Sequence, residues 1–237
     1  MVKGMPLQLK VFVNQPSGDD FVALFLERAP KSFPYIMVKD QKDADIVVFT
    51  GGSDVQPILY GEAPLIVTHF NPARDQADIK SFRMAQKMGQ FKIGICRGGQ
   101  FLNVMNGGKL WQDVDMHCRT HILTDAFTGK KWAVSSTHHQ MFRPAAGALI
   151  VATARESTQK VCDGQTWEIK NDGSNMDNYF KTDFEVLFYP ETRTLCFQPH
   201  PEYDIPITTA FYFHDVLARC FHFEDTHEDH LTQRKEA

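Results

Sequence analysis

The sequence has no Cys-x-x-Cys pair. Its five cysteines are odd in number and scattered, which argues against a disulfide framework and for a reducing compartment. No apolar run approaches the length of a membrane span, and no signal-peptide core follows Met1-Val2-Lys3-Gly4-Met5-Pro6. A cytoplasmic chain without a membrane partner is therefore expected. Basic runs are lacking too, and with a net charge of −4 a nucleic-acid partner is not expected. There is no internal repeat and no dividing linker, so residues 1–237 are expected to form a single domain. The charged stretch from Glu224 to Ala237 is expected to fray. No ATP-binding loop is present.

What is there suffices for a full core, because hydrophobic residues make up 43% of the chain and charged ones 23%. Leu7 to Val13 alternates apolar and polar residues and reads as a first strand. Ser17-Gly18-Asp19-Asp20 offers N-caps for a helix carrying Phe21, Leu24, Phe25 and Leu26. Phe33 to Val38 reads as a second strand. Asp45 to Phe49 reads as a third, apolar enough to be covered on both faces as in a parallel sheet. It ends in Thr50-Gly51-Gly52-Ser53-Asp54, where paired glycines either turn the chain or let backbone approach a ligand closely.

Pro64 to Phe70 reads as another strand, and Ala73 to Met88 as a helix with Ile79, Phe82, Met84 and Ala85 on its inner side. This alternation points to an α/β fold with a doubly wound, mostly parallel sheet. Beyond residue 108 the texture changes. Lys130 to Val134, Leu149 to Ala154, Thr166 to Lys170, Phe184 to Tyr189 and Thr194 to Gln198 read as shorter strands, separated by turns such as Asn171-Asp172-Gly173-Ser174-Asn175. They form a small β-rich excursion that returns to the sheet. A last helix is expected from Ile207 to Phe223, packing through Phe211, Val216, Leu217 and Cys220.

The chain is organised around Lys92-Ile93-Gly94-Ile95-Cys96-Arg97-Gly98-Gly99-Gln100-Phe101-Leu102. The apolar run Ile93 to Ile95 ends a buried strand, and a helix begins after the cysteine, closed by Asn106-Gly107-Gly108. Gly94 and Gly98 flank Cys96 in a G-x-C-x-G arrangement. That is the cysteine form of a nucleophile elbow, in which a strained turn lifts the nucleophile off the sheet edge. The free N–H groups of the following helix favour negative charge there. Alone, the same pattern also describes a buried cysteine at an ordinary turn. A nucleophile needs a base, an orienter and an oxyanion site.

Two histidine-bearing stretches offer partners: Val134-Ser135-Ser136-Thr137-His138-His139-Gln140 and Cys196-Phe197-Gln198-Pro199-His200-Pro201-Glu202-Tyr203. In the second, the flanking prolines extend the backbone around His200, so Glu202 can reach the same side and hold one imidazole tautomer. His214, His222, His227 and His230 lack a tight ligand spacing and are crowded by Asp and Glu. They read as the solvated end of an amphipathic helix, not as a metal site.

The run G-I-C-R-G-G-Q-F-L-N-V-M-N-G-G-K-L-W-Q-D-V, preceded by T-G-G-S-D-V and followed by S-S-T-H-H-Q and Q-P-H-P-E, resembles the class I glutamine amidotransferase superfamily. Arg97, the L-N-V-x-x-G-G-x-L-x-Q-D continuation, the S-x-x-H-H-Q block and Arg74-Asp75 are most similar to its γ-glutamyl hydrolase branch, peptidase family C26. The motifs span roughly Phe49 to Tyr203.

The resemblance implies a flavodoxin-like amidotransferase fold, with Cys96 as nucleophile, His200 as base and acid, and Glu202 as orienter. It further implies an oxyanion hole from the backbone N–H groups of Gly52 and Arg97. A γ-glutamyl head would be held by Gln100, Ser136, Thr137 and His138, with no metal or organic cofactor. Gly99 and Pro199 depart from the family's usual apolar and aromatic residues, and the connection from Tyr60 to Arg74 is short for the branch. Three functions stay open: a free-standing hydrolase of γ-glutamyl amides, a glutaminase subunit feeding ammonia to a separate amidoligase or synthetase, and a non-catalytic binding module.

Overall fold

Strand residues of alternating direction sort the core into two layers. In the computed structural model, which describes residues 8–14, 20–31, 34–169 and 177–235, the chain opens with β1 (Leu9–Asn14), α1 (Asp20–Leu26), β2 (Tyr35–Met37) and β3 (Ile46–Phe49). There follow α2 (Pro72–Lys87), β4 (Phe91–Ile95) and α3 (Arg97–Met105). Ile46 and Val48 point to one layer, with Ile93 and Ile95, under α1 and the last helix. Val47 and Phe49 point to the other, against Phe82 and Ala85 of α2 and Phe101 and Leu102 of α3. Period-two side-chain alternation on a sheet covered on both faces requires this double wrapping.

The second half is richer in strands than its sequence suggests. It runs β5 (Lys109–Trp111), β6 (Asp113–Val114), β7 (His121–Asp125), β8 (Lys131–Val134), β9 (Met141–Arg143), β10 (Leu149–Ala154), β11 (Gln159–Cys162) and β12 (Gln165–Glu168). Then come α4 (Asn178–Lys181), β13 (Asp183–Tyr189), β14 (Thr194–Phe197) and α5 (Thr208–Lys235). One nine-stranded sheet has the order β2-β1-β3-β4-β14-β13-β10-β7-β8. Neighbours from β2 to β14 are parallel, and those from β14 to β8 are antiparallel. The excursion therefore extends the central sheet and adds two small sheets, β12-β11-β6 and β5-β9.

Several local expectations need correction. Pro64 to Phe70 is not a strand; only Phe70 makes an isolated bridge, to Asp54. Both edges of β3 are already taken, by β1 and β4, which leaves this apolar run no slot beside β3. Its Ile66 is 96% exposed. The final helix does not end at Phe223 but spans Thr208–Lys235, a stretch without proline or glycine. His214 is not solvated: it is buried, its Nε2 is 3.1 Å from the Leu24 carbonyl, and burial pushes its pKa down to about 4. Leu7, Ser17 to Asp19, Phe33, Lys170 and the Asn171-to-Asn175 turn lie outside the described residues. No helix among the described residues is long and apolar enough to cross a membrane.

Candidate active site

Parallel register brings the carboxyl ends of β3, β4 and β14 together, pairing Phe49 with Gly94 and Ile95 with Phe197. Ligands of open α/β sheets bind at such strand ends. Cys96 follows β4 directly and sits in the turn to α3 at φ 51 and ψ −114. For a residue with a side chain this is a strained backbone, costing on the order of 1–3 kcal/mol, and the surroundings must enforce it. They do so through the Cys96 N–H, which donates to the Phe197 carbonyl at 2.8 Å, and the Gln100 N–H, which donates to the Cys96 carbonyl at 3.0 Å.

The elbow's glycines are steric requirements. A Cβ on Gly98 would lie 2.0 Å from the Phe49 carbonyl oxygen, and one on Gly94 would lie 2.4 Å from the Gly98 backbone. Gly99 is confined as well, with 3.0 Å to Phe142 and 3.1 Å to the Phe197 nitrogen for an added Cβ. That tightness accounts for its lack of a side chain.

His200 follows β14, and its Nδ1 lies 2.7 Å from Oε1 of the buried Glu202. The contact fixes the tautomer: Nδ1 carries the proton toward the carboxylate and Nε2 is the free face. Nε2 is buried and has no hydrogen bond of normal geometry. An added Cβ at Gly51 would be 3.2 Å from the His200 Cε1 and 3.9 Å from the Cys96 Cβ, so ring and cysteine flank this one residue. Burial pushes the imidazole down, but the adjacent Cys96 and then Glu202 outweigh it and raise its pKa to about 11. The geometry favours an imidazolium beside the sulfur.

Gly51 and Gly52 form the wall facing the elbow. Arg74 of α2 reaches across with Nη2, donating to the Thr50 carbonyl at 3.2 Å, the Thr50 hydroxyl at 3.0 Å and the Gly51 carbonyl at 3.4 Å. A trans peptide aims its N–H opposite to its C=O. Holding the Gly51 carbonyl toward Arg74 therefore turns the Gly52 N–H away from the guanidinium. Gly52 itself has φ 145, a conformation that favours glycine.

The Peptidase C26 family matches residues 30–126, a stretch that ends before His200. The glutamine amidotransferase-like protein YvdE of Lactococcus lactis is 29% identical over 152 residues, which cover 55% of this chain and 62% of that relative. Among solved structures, a glutamine amidotransferase from Thermotoga maritima aligns with a TM-score of 0.55 at 14% identity, covering 96% of this chain and 85% of that one. The glutaminase domain of CTPS from Trypanosoma brucei, with bound acivicin, aligns with a TM-score of 0.54 at 13% identity, covering 91% and 94%.

Over residues 30–126 the chain is similar to the Peptidase C26 family, and its fold is that of class I glutamine amidotransferases.

Within this amidotransferase-like frame, other residues singled out from sequence occupy less expected places. The Arg97 side chain does not enter the pocket; it is buried against α2, paired with Asp75 and Asp78. Asp78 also accepts from Asn14 at 2.7 Å and from Arg74 at 3.1 Å. Gln100 spends its amide N–H groups on the Gln140 carbonyl at 3.0 Å and Gln198 at 3.2 Å.

The side chains expected to hold the γ-glutamyl head from the next block are turned inward. Ser136 donates to the His117 carbonyl at 2.6 Å, and His138 stacks on His117 with ring centroids 4.7 Å apart. Burial pushes His138 down to about 3, so it is a neutral core imidazole. Thr137 alone of the three is exposed.

The site also uses residues to which the sequence reading gave no role. Ser135 clamps the backbone of His200, accepting from its N–H at 2.9 Å and donating to its carbonyl at 3.0 Å. Tyr203 stacks on the His200 ring with centroids 4.4 Å apart and planes 6° from parallel. Arg28, just beyond α1, donates to the carbonyls of Glu202 at 2.9 Å and Tyr203 at 3.2 Å and holds that turn. Ser135 and Tyr203 adjoin motif residues, which was the available signal. Arg28 carried none.

Proposed function

We propose that this chain hydrolyses the side-chain amide of glutamine or of a γ-glutamyl amine through a thioester on Cys96. The reading is carried above all by one observation: a buried His200–Glu202 pair at 2.7 Å, beside a cysteine held at φ 51 on a strand-to-helix turn. The family match and the amidotransferase-like relative support the substrate class.

The Cys96 sulfur attacks the carbonyl carbon, and the π pair moves to oxygen. The Gly52 and Arg97 backbone N–H groups receive that oxyanion, a contribution of about 3 kcal/mol per donor. The C–N bond breaks as His200 gives its proton to the leaving nitrogen. Water then yields a proton to His200 and attacks the thioester; the C–S bond breaks and glutamate leaves. None of these steps calls for a metal or organic cofactor. For the γ-glutamyl head, the backbone of residues 136–138 and Thr137 are the available contacts, with Gln100, Ser136 and His138 shaping the wall from behind.

Arg74 is a positioning residue for the oxyanion hole. Arg74→Ala is expected to lower kcat by about 10- to 100-fold, less than outright loss of a donor, with KM little changed. Arg74→Lys, which keeps the charge but not the fork, should recover only part of the loss. An unchanged kcat in a folded Arg74→Ala protein would remove Arg74 from the oxyanion loop.

A second reading, the glutaminase subunit, is favoured by one feature. The short 3₁₀ turn Pro57–Tyr60 and its connection to α2 present Ile58 at 70%, Ile66 at 96% and Val67 at 40% exposure, an apolar rim on which an amidoligase or synthetase could seat. Glutamate release from glutamine and a γ-glutamyl-amine panel separates the two. We expect measurable release by the purified chain alone. Activity that appears only when a ligase partner is added would replace the hydrolase reading with the subunit one.

A further inference from the structure

Away from the Cys96 pocket, three segments bring imidazoles to one buried carboxylate. His117 precedes β7, His121 begins β7, His138 lies in the β8–β9 connection, and Glu185 is in the middle of β13. The side chains of His117, His121 and Glu185 are at most 1% exposed, and that of His138 is 2% exposed. Glu185 Oε1 is 3.4 Å from His117 Nδ1 and 3.1 Å from His121 Nε2, while its Oε2 is 4.0 Å from His138 Nε2. One ligand atom each from His117, His121 and Glu185 lie within 4.8 Å of one another. These nitrogens and oxygens lack hydrogen bonds of good geometry, the His121–Glu185 contact coming nearest to one. Five poorly partnered polar atoms in one buried cluster are costly.

The outer nitrogens explain how the inner ones are charged. His138 Nδ1 is 3.0 Å from the Gln140 carbonyl, an acceptor, so Nδ1 carries the proton and Nε2 is a lone pair. His117 Nε2 lies 3.3 Å from Asp183 Oδ2 and 3.2 Å from the Ser157 hydroxyl, which places its proton there and leaves Nδ1 a lone pair as well. Asp183 is fixed in turn by Lys160 at 2.8 Å and by the N–H groups of Glu156 and Ser157 at 2.7 and 3.0 Å. Two lone pairs thus face a carboxylate without a hydrogen between them. Such a set favours positive charge at its centre. Ligand bonds of about 2.0–2.1 Å in a tetrahedron imply ligand–ligand edges of about 3.3 Å, matching the two short separations at Glu185 Oε1, while His138 faces the other carboxylate oxygen at 4.0 Å and would have to turn to join them.

We propose that His117, His121, His138 and Glu185 bind one divalent late first-row metal ion, zinc foremost, in a closed structural site. Imidazole-rich sets select such ions over calcium or magnesium. Four buried ligands leave no open position for substrate, and an imidazole backed by a carboxylate, as His117 is by Asp183, is the usual outer support of a metal ligand. The ion would tie β7 and β13 to the loop through Ser135, the residue that clamps His200, and so brace the catalytic histidine without taking part in the reaction. The site shares His138 with the wall of the proposed γ-glutamyl pocket but does not depend on which γ-glutamyl amide is the substrate.

The test is metal analysis of the full purified chain, with reconstitution by cobalt. About one zinc per chain should survive dialysis against a weak chelator. It should be retained by Cys96→Ala and lost in His121→Gln and Glu185→Gln. A strong chelator should lower the Tm, and added zinc should restore it. Should the variants not fold, cobalt in the unaltered chain still decides: a tetrahedral visible spectrum without a sulfur-to-cobalt charge-transfer band is expected. A chain that stays metal-free in zinc-supplemented buffer, with Tm unmoved by zinc or chelator, would overturn the proposal in favour of a proton shared in the cluster. A thiolate band, placing the ion on a cysteine, would overturn it equally.

Discussion

Cys96→Ala is expected to lower γ-glutamyl amide hydrolysis by about 10⁴-fold or more while leaving the protein folded, because the nucleophile is removed and the pocket is kept. The elbow geometry adds a stability prediction that a surface cysteine would not share. Alanine inherits the strain of φ 51 and ψ −114, whereas glycine tolerates it. Cys96→Gly should therefore unfold at a higher temperature than Cys96→Ala, by an amount corresponding to about 1 kcal/mol or more. A glutamine-like electrophile should label Cys96 and spare Cys118, although Cys118 is the exposed cysteine. Labelling of Cys118, Cys162, Cys196 or Cys220 in place of Cys96 would remove the elbow from the chemistry.

His200→Ala should abolish nearly all turnover, and Glu202→Gln should leave a remnant, because an orienter is less essential than the base it orients. The pH profile separates the roles further. With the imidazole raised to about 11, the proton donated to the leaving nitrogen remains in place well above neutral pH, so the alkaline limb should be displaced far upward. Glu202→Gln removes one of the groups that raise it, and the limb should move down toward the ordinary imidazole range near about 6.5. The same sign holds for stability. A raised folded pKa makes a contribution that is full below the unfolded value of about 6.5 and lost as pH rises through about 11. An alkaline limb that does not move in a folded Glu202→Gln protein would uncouple Glu202 from His200.

The elbow was legible because its chemistry needs small residues at fixed spacing, and the glycines at 94 and 98 have no other way to satisfy the contacts with Gly98 and Phe49. The parallel half of the sheet was legible for a similar reason: β3 and β4 are buried throughout and read as apolar runs. Short strands such as β6 and β9 are set by their partners across the sheet, so pattern alone missed them. The run from Pro64 to Phe70 misled for the opposite reason, being apolar yet left outside the sheet beside a β3 already paired on both sides.

Charge was the least legible feature. Asp75, noted in the sequence only beside Arg74 as part of the resemblance, and Asp78 are buried around Arg97, a partner 22 and 19 residues away. Nothing local announces such pairs. His117, His121 and Glu185 were invisible as a group for the same reason, since only the excursion's strands bring them together.

The account rests on Cys96 becoming covalently attached to the substrate's glutamyl carbon, and the most direct measurement is the mass of the protein in an acid-quenched reaction with a γ-glutamyl amide. The expected result is a single added glutamyl group, mapped to the peptide that carries Cys96 and absent from Cys96→Ala. Sustained glutamate release with no adduct on that peptide, or with the adduct on another residue, would contradict it.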